Sequence, residues 1–305
     1  MNNLTVSHFP HIKDGATTNR IMLDVVIALA PAFAAAVAVF GARAALIVLI
    51  CVASSVASEW IYRKAMKLPG TIRDFSAVIT GLLLAFSLPV GVPVWQAAFG
   101  SMVAIILVKQ LFGGLGKNFA NPAVTARIIM FLAFSVEMTT FAGPDAISGA
   151  TPLALIAGGG ALPPLPDMIL GVRGGCLGET SALALVIGGA YLMVRRVITW
   201  HAPVTFIATV FALTALLGQQ PVMQILSGGL LIGAIFMATD YVTTPMTGWG
   251  KVVFGAGAGF FTVVIRIYGA YPEGVSFAIL LMNTITPYIN RFTASRPLGR
   301  VKPGR

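Results

Sequence analysis

Apolar residues come in long runs along this chain, rather than as the one-sided stripe of a surface helix. A helix that crosses a bilayer needs about 20 mostly apolar residues. On that template ten spans are predicted, near 21–40, 43–62, 75–89, 94–112, 123–140, 180–198, 202–218, 222–239, 251–268 and 273–290. The third is short and ends at Pro89. The longest connection, 141–179, holds a glycine run at 158–160 and Pro163, Pro164 and Pro166. Its apolar part, 151–162, is too short to span and is expected to be re-entrant or interfacial. The predicted fold is an all-α polytopic membrane protein. It forms one domain: a first helical half at 1–140, the connection 141–179, a second half at 180–290 and a tail at 291–305.

Charge sets the expected orientation. With the amino terminus cytoplasmic, 16 of the 20 lysines and arginines fall on the cytoplasmic side. Arg43, Arg173 and Arg266 fall opposite, and Arg127 lies inside the fifth span. Lysine and arginine favour cytoplasmic loops, so both termini are expected in the cytoplasm and Thr151 on the far side. An internal echo bears on topology. Ile106-Leu-Val-Lys-Gln-Leu-Phe-Gly-Gly leads into Asn121-Pro, and Val263-Val-Ile-Arg-Ile-Tyr-Gly-Ala leads into Tyr271-Pro. The two copies fall on opposite sides of the predicted membrane, as two inverted five-helix halves would place them.

Composition agrees with the spans. Charged residues are 10% of the 305 and hydrophobic residues 57%, where an average soluble domain has about 25% charged residues. The formal charge of +10 does not point to nucleic acid, because the basic residues are scattered between apolar runs and do not interleave with aromatics. Two cysteines are too few for an iron–sulfur cluster, which takes about four ligands. His8, His11 and His201 lack metal-site spacing. The first apolar span is too long for a signal-peptide core and carries Asp24 and Pro31, so it reads as an uncleaved helix.

The chemistry-bearing stretch is Asp145-Ala-Ile-Ser148-Gly149-Ala150-Thr151-Pro152. Gly149 can take a positive φ and Pro152 biases Thr151 away from helix, so the turn presents a hydroxyl. No general base sits beside it in sequence, and spacing alone makes it a helix-terminal loop. Two asparagines, Asn118 and Asn121, bracket Phe119 at the entry to span five. They read either as helix caps or as side-chain amides that hold a ring with Phe119 against it. Acids at membrane depth are costly and are functional candidates by default. Here these are Asp24, Glu59, Asp240 and Glu273, with Arg127 and Arg266 as possible partners.

Asp-x-x-Ser-Gly-Ala-Thr in such a chain resembles the flavinylation motif of the RnfD and NqrB family. Gly116-Lys-Asn-Phe-Ala-Asn-Pro122, Phe236-Met-Ala-Thr-Asp240 and Tyr271-Pro-Glu-Gly-Val-Ser-Phe-Ala-Ile-Leu-Leu-Met-Asn283 match too, as do Pro10-His-Ile and Ile21-Met-Leu-Asp24. The short amino-terminal region favours the Rnf branch. The resemblance implies FMN joined to Thr151 by a phosphoester, placed there by a flavin transferase, with Ser148, Gly149 and Ala150 shaping the turn. It implies a second, non-covalent riboflavin at Asn118 and Asn121, and cation contacts at Glu59 and Asp240. It implies a membrane component, in a bacterial cytoplasmic (inner) membrane, that passes electrons within an ion-translocating ferredoxin–NAD oxidoreductase, coupled to Na⁺ or H⁺ movement. Arg127 and Arg266 could then neutralise the flavin phosphate. The partners would be the other subunits of the complex and the bilayer, with no nucleic acid. Two other classes stay open: a component of an Nqr-type quinone reductase, and a cofactor-free channel or carrier.

Overall fold

The computed structural model describes residues 17–141, 149, 151–158, 160, 162–171, 173–179, 181–269 and 273–294. Asp145, Ser148, Ala150, His8, His11 and most of the carboxy-terminal tail lie outside the described residues. Among the described residues every regular element is helical. The first half comprises α1 (Thr18–Phe40), α2 (Ala42–Ala65), α3 (Ser76–Phe86), α4 (Val94–Met102) and α5 (Pro122–Ala133), followed by the short α6 (Ser135–Thr139). The connection holds α7 (Pro152–Gly158) and α8 (Leu165–Leu170). The second half comprises α9 (Ala182–Val194), α10 (His201–Leu216), α11 (Pro221–Leu226), α12 (Leu230–Ile232), α13 (Gly248–Tyr268) and α14 (Val275–Thr293).

The apolar runs become helices because, in a bilayer, each backbone polar group must be satisfied within its own segment. α1, α2 and α13 are long and apolar enough to cross a membrane, and five shorter apolar helices accompany them. The outer surface is apolar: Val194 and Leu216 are each 82% exposed, which suits lipid rather than water. The chain is a multi-pass membrane protein.

Helix contacts rest on small residues, as expected where lipid removes the hydrophobic drive between helices. A Cβ on Gly259 of α13 would lie 2.7 Å from Thr209 Cβ of α10, and one on Gly81 of α3 would lie 2.8 Å from the Cys51 carbonyl oxygen of α2. Gly257, on another face of α13, sits against Met282 of α14. Phe86, Phe206 and Phe254 fill the interior.

Two predicted spans contain π-helical stretches. α4 continues as a π-helical stretch at Val103–Gln110. The predicted span 222–239 is broken: α11 ends at Leu226, Ser227–Gly229 is non-helical, and α12 leads into a π-helical stretch at Gly233–Met237. Gly228 turns the chain there with φ of 61°, a conformation glycine adopts without steric cost. π-helical stretches and breaks of this kind free backbone groups and cluster at functional sites. Both stretches contribute to the cleft described next.

Candidate functional site

A mostly apolar cleft with a volume of about 110 Å³ lies among α1, α3, the end of the α4 extension, the α5 entry and the segment after α12. Its polar wall is Ser76, Thr80, Lys109, Asn118, Asn121, Thr239 and Asp240. Two asparagines and one acid singled out in the sequence therefore share one site.

Asn121 caps α5. Its Oδ1 accepts from the backbone N–H groups of Ala123 and Val124 at 3.0 and 3.3 Å, and Pro122 occupies the first helical turn, where a missing N–H is tolerated. Its Nδ2 donates to the Met237 carbonyl at 3.3 Å, tying α5 to the second π-helical stretch. Asn118 is buried and donates to the Ala120 carbonyl at 2.9 Å. Phe119 does not line the cleft. Residues 117–120 alternate between exposed and buried, so Asn118 faces inward while Phe119 faces out and packs on Phe112, ring centroids 4.8 Å apart.

The four acids have different surroundings. Glu59 is fully buried in an ion pair with Lys109 at 2.8 Å, and Thr71 donates its hydroxyl to the other carboxylate oxygen. Lys109 also donates to Ser76 Oγ, and Ser76 in turn donates to Asp74. Asp24 accepts from Tyr191 at 2.9 Å and pairs with Arg195 at 3.2 Å. Glu273 pairs with Arg127. Asp240 is half-buried and accepts from the Val242 N–H and the Thr243 hydroxyl. No ion pair to it is found among the described residues. It lies between this cleft and a neighbouring cavity that includes Thr199, Thr244 and Lys251.

Sequence reasoning misses Lys109 as a site residue. It reads as a loop charge on the cytoplasmic side, yet it lies at the end of an apolar run and is 2% exposed. A cation at that depth signals a buried partner.

A second polar cluster lies further along α5. Arg127, six residues after Asn121 and so about 9 Å along the helix, lines a small cavity with Glu179, Arg266 and Glu273, and Cys176 and Arg173 join the cluster through hydrogen bonds to Arg127 and Glu179. Arg127 donates to both Glu273 and Cys176 Sγ. Arg173 donates to the backbone carbonyls of Glu179 and Leu226. Arg266 donates to the carbonyls of Gln224 at 2.7 Å and Ser227 at 2.9 Å. The last turn of α11 and the break after it leave carbonyls without helical partners, and the two arginines satisfy them. Cys176 Sγ and the Glu179 and Glu273 carboxylates lie within 4.8 Å of one another. With Arg127 on both Cys176 and Glu273, this arrangement disfavours a metal cation.

Thr151 is half-buried at the start of α7, and its Oγ1 accepts from the Ala154 N–H at 3.2 Å. It is thus an N-cap residue. Gly149 is exposed, and its N–H donates to the Phe141 carbonyl at 3.1 Å. Leu153 is 3% exposed and anchors α7.

Comparison with known proteins adds a family. The model of the NQR2, RnfD, RnfE family matches residues 5–299. The chain is 48% identical to the D subunit of the Na(+)-translocating ferredoxin:NAD(+) oxidoreductase complex of Acetobacterium woodii, over 98% of this chain and 96% of that one. It is 41% identical to the D subunit of the proton-translocating ferredoxin:NAD(+) oxidoreductase complex of Clostridium ljungdahlii, over 96% and 95%. With the D subunit of the ion-translocating oxidoreductase complex of Escherichia coli it shares 32% identity, over 97% and 99%. A match of this length, on a helical membrane protein whose cleft gathers Asn118, Asn121 and Asp240, places the chain in the NQR2, RnfD, RnfE family.

Proposed function

We propose that the chain is the D subunit of an ion-translocating ferredoxin–NAD oxidoreductase complex. It carries FMN on Thr151 and riboflavin in the cleft at Asn118 and Asn121, and it couples electron passage to Na⁺ or H⁺ movement past Asp240. The observation that carries this reading is the near-full-length similarity to subunits of that name, joined to a cleft that brings the matching asparagines together. On this reading the chain crosses a bacterial cytoplasmic membrane ten times in two inverted halves. Both termini are cytoplasmic, and Thr151 lies on the far side with Gly149 and the adjoining Ser148 and Ala150.

The residues present fit the two groups differently. Lys109 is the one cation among the described residues lining the cleft, and Glu59 neutralises it. Asp240 adds negative charge. The cleft therefore suits an uncharged flavin better than a phosphorylated one. The asparagine amides sit where they can orient a ring edge, and the apolar wall of Ile79, Leu83, Leu192 and Phe236 excludes water. A flavin, when bound, supplies the redox chemistry, and the protein fixes its position and tunes its surroundings. At Thr151 a half-buried hydroxyl opens a helix, with no general base beside it in sequence. A phosphoester there needs a transferase to supply activation. Of the two acids expected to meet the cation, Asp240 is the better placed, because Glu59 is held by Lys109.

The test is to purify the complex containing this chain and extract it with acid. Riboflavin should appear in the extract while flavin fluorescence stays with the denatured chain in a gel. A chain with neither is a cofactor-free carrier. Quinone reduction without ferredoxin activity would move it to the Nqr-type reading.

A further inference from the structure

Asn283 lies midway along α14 and is 2% exposed. Neither its Nδ2 nor its Oδ1 has a hydrogen-bond partner among the described residues. Pro287 lies inside the same helix and has no N–H to give the Asn283 carbonyl four residues back. Proline also keeps the next turn away from that carbonyl, which leaves it open to a small ligand. A donor and two acceptors without helical or side-chain partners thus meet at one buried residue. Buried polar groups are paired in folded proteins, and an amide left unpaired in an apolar interior is costly.

The neighbouring contacts show what this residue faces. A Cβ on Gly233 would lie 3.3 Å from Ile279 Cδ1, and Thr286 donates its hydroxyl to the Thr243 carbonyl at 2.9 Å. Asn283 follows Ile279 by four residues and precedes Thr286 by three, so it shares their side of α14. That side meets the segment 233–243. The segment contains the second π-helical stretch, then Thr239 and Asp240 of the cleft wall.

The atoms themselves select the ligand. A bare cation would take the two oxygens and leave the amide NH₂ unmet. An anion would do the reverse. Water both donates and accepts, so it satisfies all three groups. Ordered water is also one of the usual partners for backbone groups that proline frees in membrane helices.

We propose that Asn283 and its own carbonyl hold ordered water inside the bundle, and that this water is the next polar station after Asp240 for the translocated cation. The second half rests on the reading of ion movement past Asp240; the first half does not.

Hydroxyl radicals generated by a millisecond X-ray pulse oxidise side chains beside bound water. Met282 adjoins Asn283, is 3% exposed and offers an oxidisable sulfur. In the purified complex Met282 should be oxidised several-fold faster than Met130, which is 0% exposed. Asn283→Leu removes donor and acceptor at similar size and should bring Met282 down to the Met130 rate. It should also cut ion transport several-fold with flavin content unchanged. Pro287→Ala restores the missing N–H and should lower Met282 oxidation too, and it carries the test if Asn283→Leu does not insert. Equal rates for Met282 and Met130 in the wild type overturn the water site, as does a Met282 rate that neither variant lowers. Oxidation that falls in Asn283→Leu while transport stays full overturns the station on the ion route. Full transport in Asp240→Asn, with oxidation still dependent on Asn283, sinks the reading of Asp240 and leaves the water site standing.

Discussion

Replacing Lys109 with Met should destabilise the protein by roughly 3–5 kcal/mol, the usual cost of removing one partner from a buried ion pair. The side chains of Lys109 and Glu59 are 3% and 1% exposed, with nitrogen and oxygen 2.8 Å apart. At that separation an effective dielectric of about 20 gives an attraction near 6 kcal/mol. Desolvation of both groups offsets part of this, so the lower range is the better guide. The loss should be felt widely, because the chain Thr71–Glu59–Lys109–Ser76–Asp74 joins α2, the 72–76 turn and the α4 extension. Glu59→Gln should cost less than Lys109→Met, since Gln keeps an acceptor for Thr71. The double variant should be more stable than the sum of the single losses by roughly 2–3 kcal/mol, as expected for contacting residues. Reversible unfolding in mixed micelles, run as a double-mutant cycle, reads this directly. A coupling energy under about 0.5 kcal/mol would show that the two groups do not pair, and Lys109 would then stand in the cleft as an unbalanced cation. Ion transport by the double variant is the companion measurement: retained transport assigns Glu59 to the wall, and abolished transport returns it to the cation path.

Asp240→Asn should lower ion transport while flavin content stays at the wild-type level; full transport in that variant removes Asp240 from the path. Asn121→Ala should cost about 1 kcal/mol through loss of the α5 cap and should release riboflavin from the complex, whereas unchanged riboflavin content would leave Asn121 as a cap alone. Thr151→Ala should also cost about 1 kcal/mol in unfolding experiments, because the structure makes Thr151 the cap of α7; a difference of several kcal/mol would mean that α7 does more than cover the bundle. A cysteine at 149 should react with an impermeant reagent from outside the cell and one at 68 should not, since native Cys51 and Cys176 are buried; the reverse pattern would invert the topology.

Much of the fold is legible in the sequence because apolar runs and bilayer physics leave few choices. The predicted spans 21–40, 43–62 and 251–268 correspond to α1, α2 and α13 within a few residues. The break in 222–239 is not legible, since Ser227-Gly228-Gly229 sits in an otherwise apolar run and only tertiary partners such as Arg266 make a break there tolerable. Likewise 123–140 divides at Phe134, whose φ of −130° ends α5 and starts α6. Of the candidate site, Asn118, Asn121 and Asp240 are found by motif, and the cleft joins them. Lys109 is hidden by its position at a predicted span end, where snorkelling to the surface is the ordinary outcome. Arg173 and Glu179 are hidden in a connection that reads as a glycine- and proline-rich loop, although the structure folds that connection into the bundle at Leu177 and Cys176. Pairings such as Arg127 with Glu273 span more than a hundred residues, and no local pattern encodes them.

The most direct test of covalent flavin on Thr151 is the intact mass of the wild-type chain, made together with its transferase, followed by fragmentation of the peptide that contains Thr151. The expected mass is that of the chain plus one FMN less one water, with the added mass on the Thr151 oxygen and absent from Thr151→Ala. An unmodified wild-type chain, or flavin attached at another residue, would contradict it.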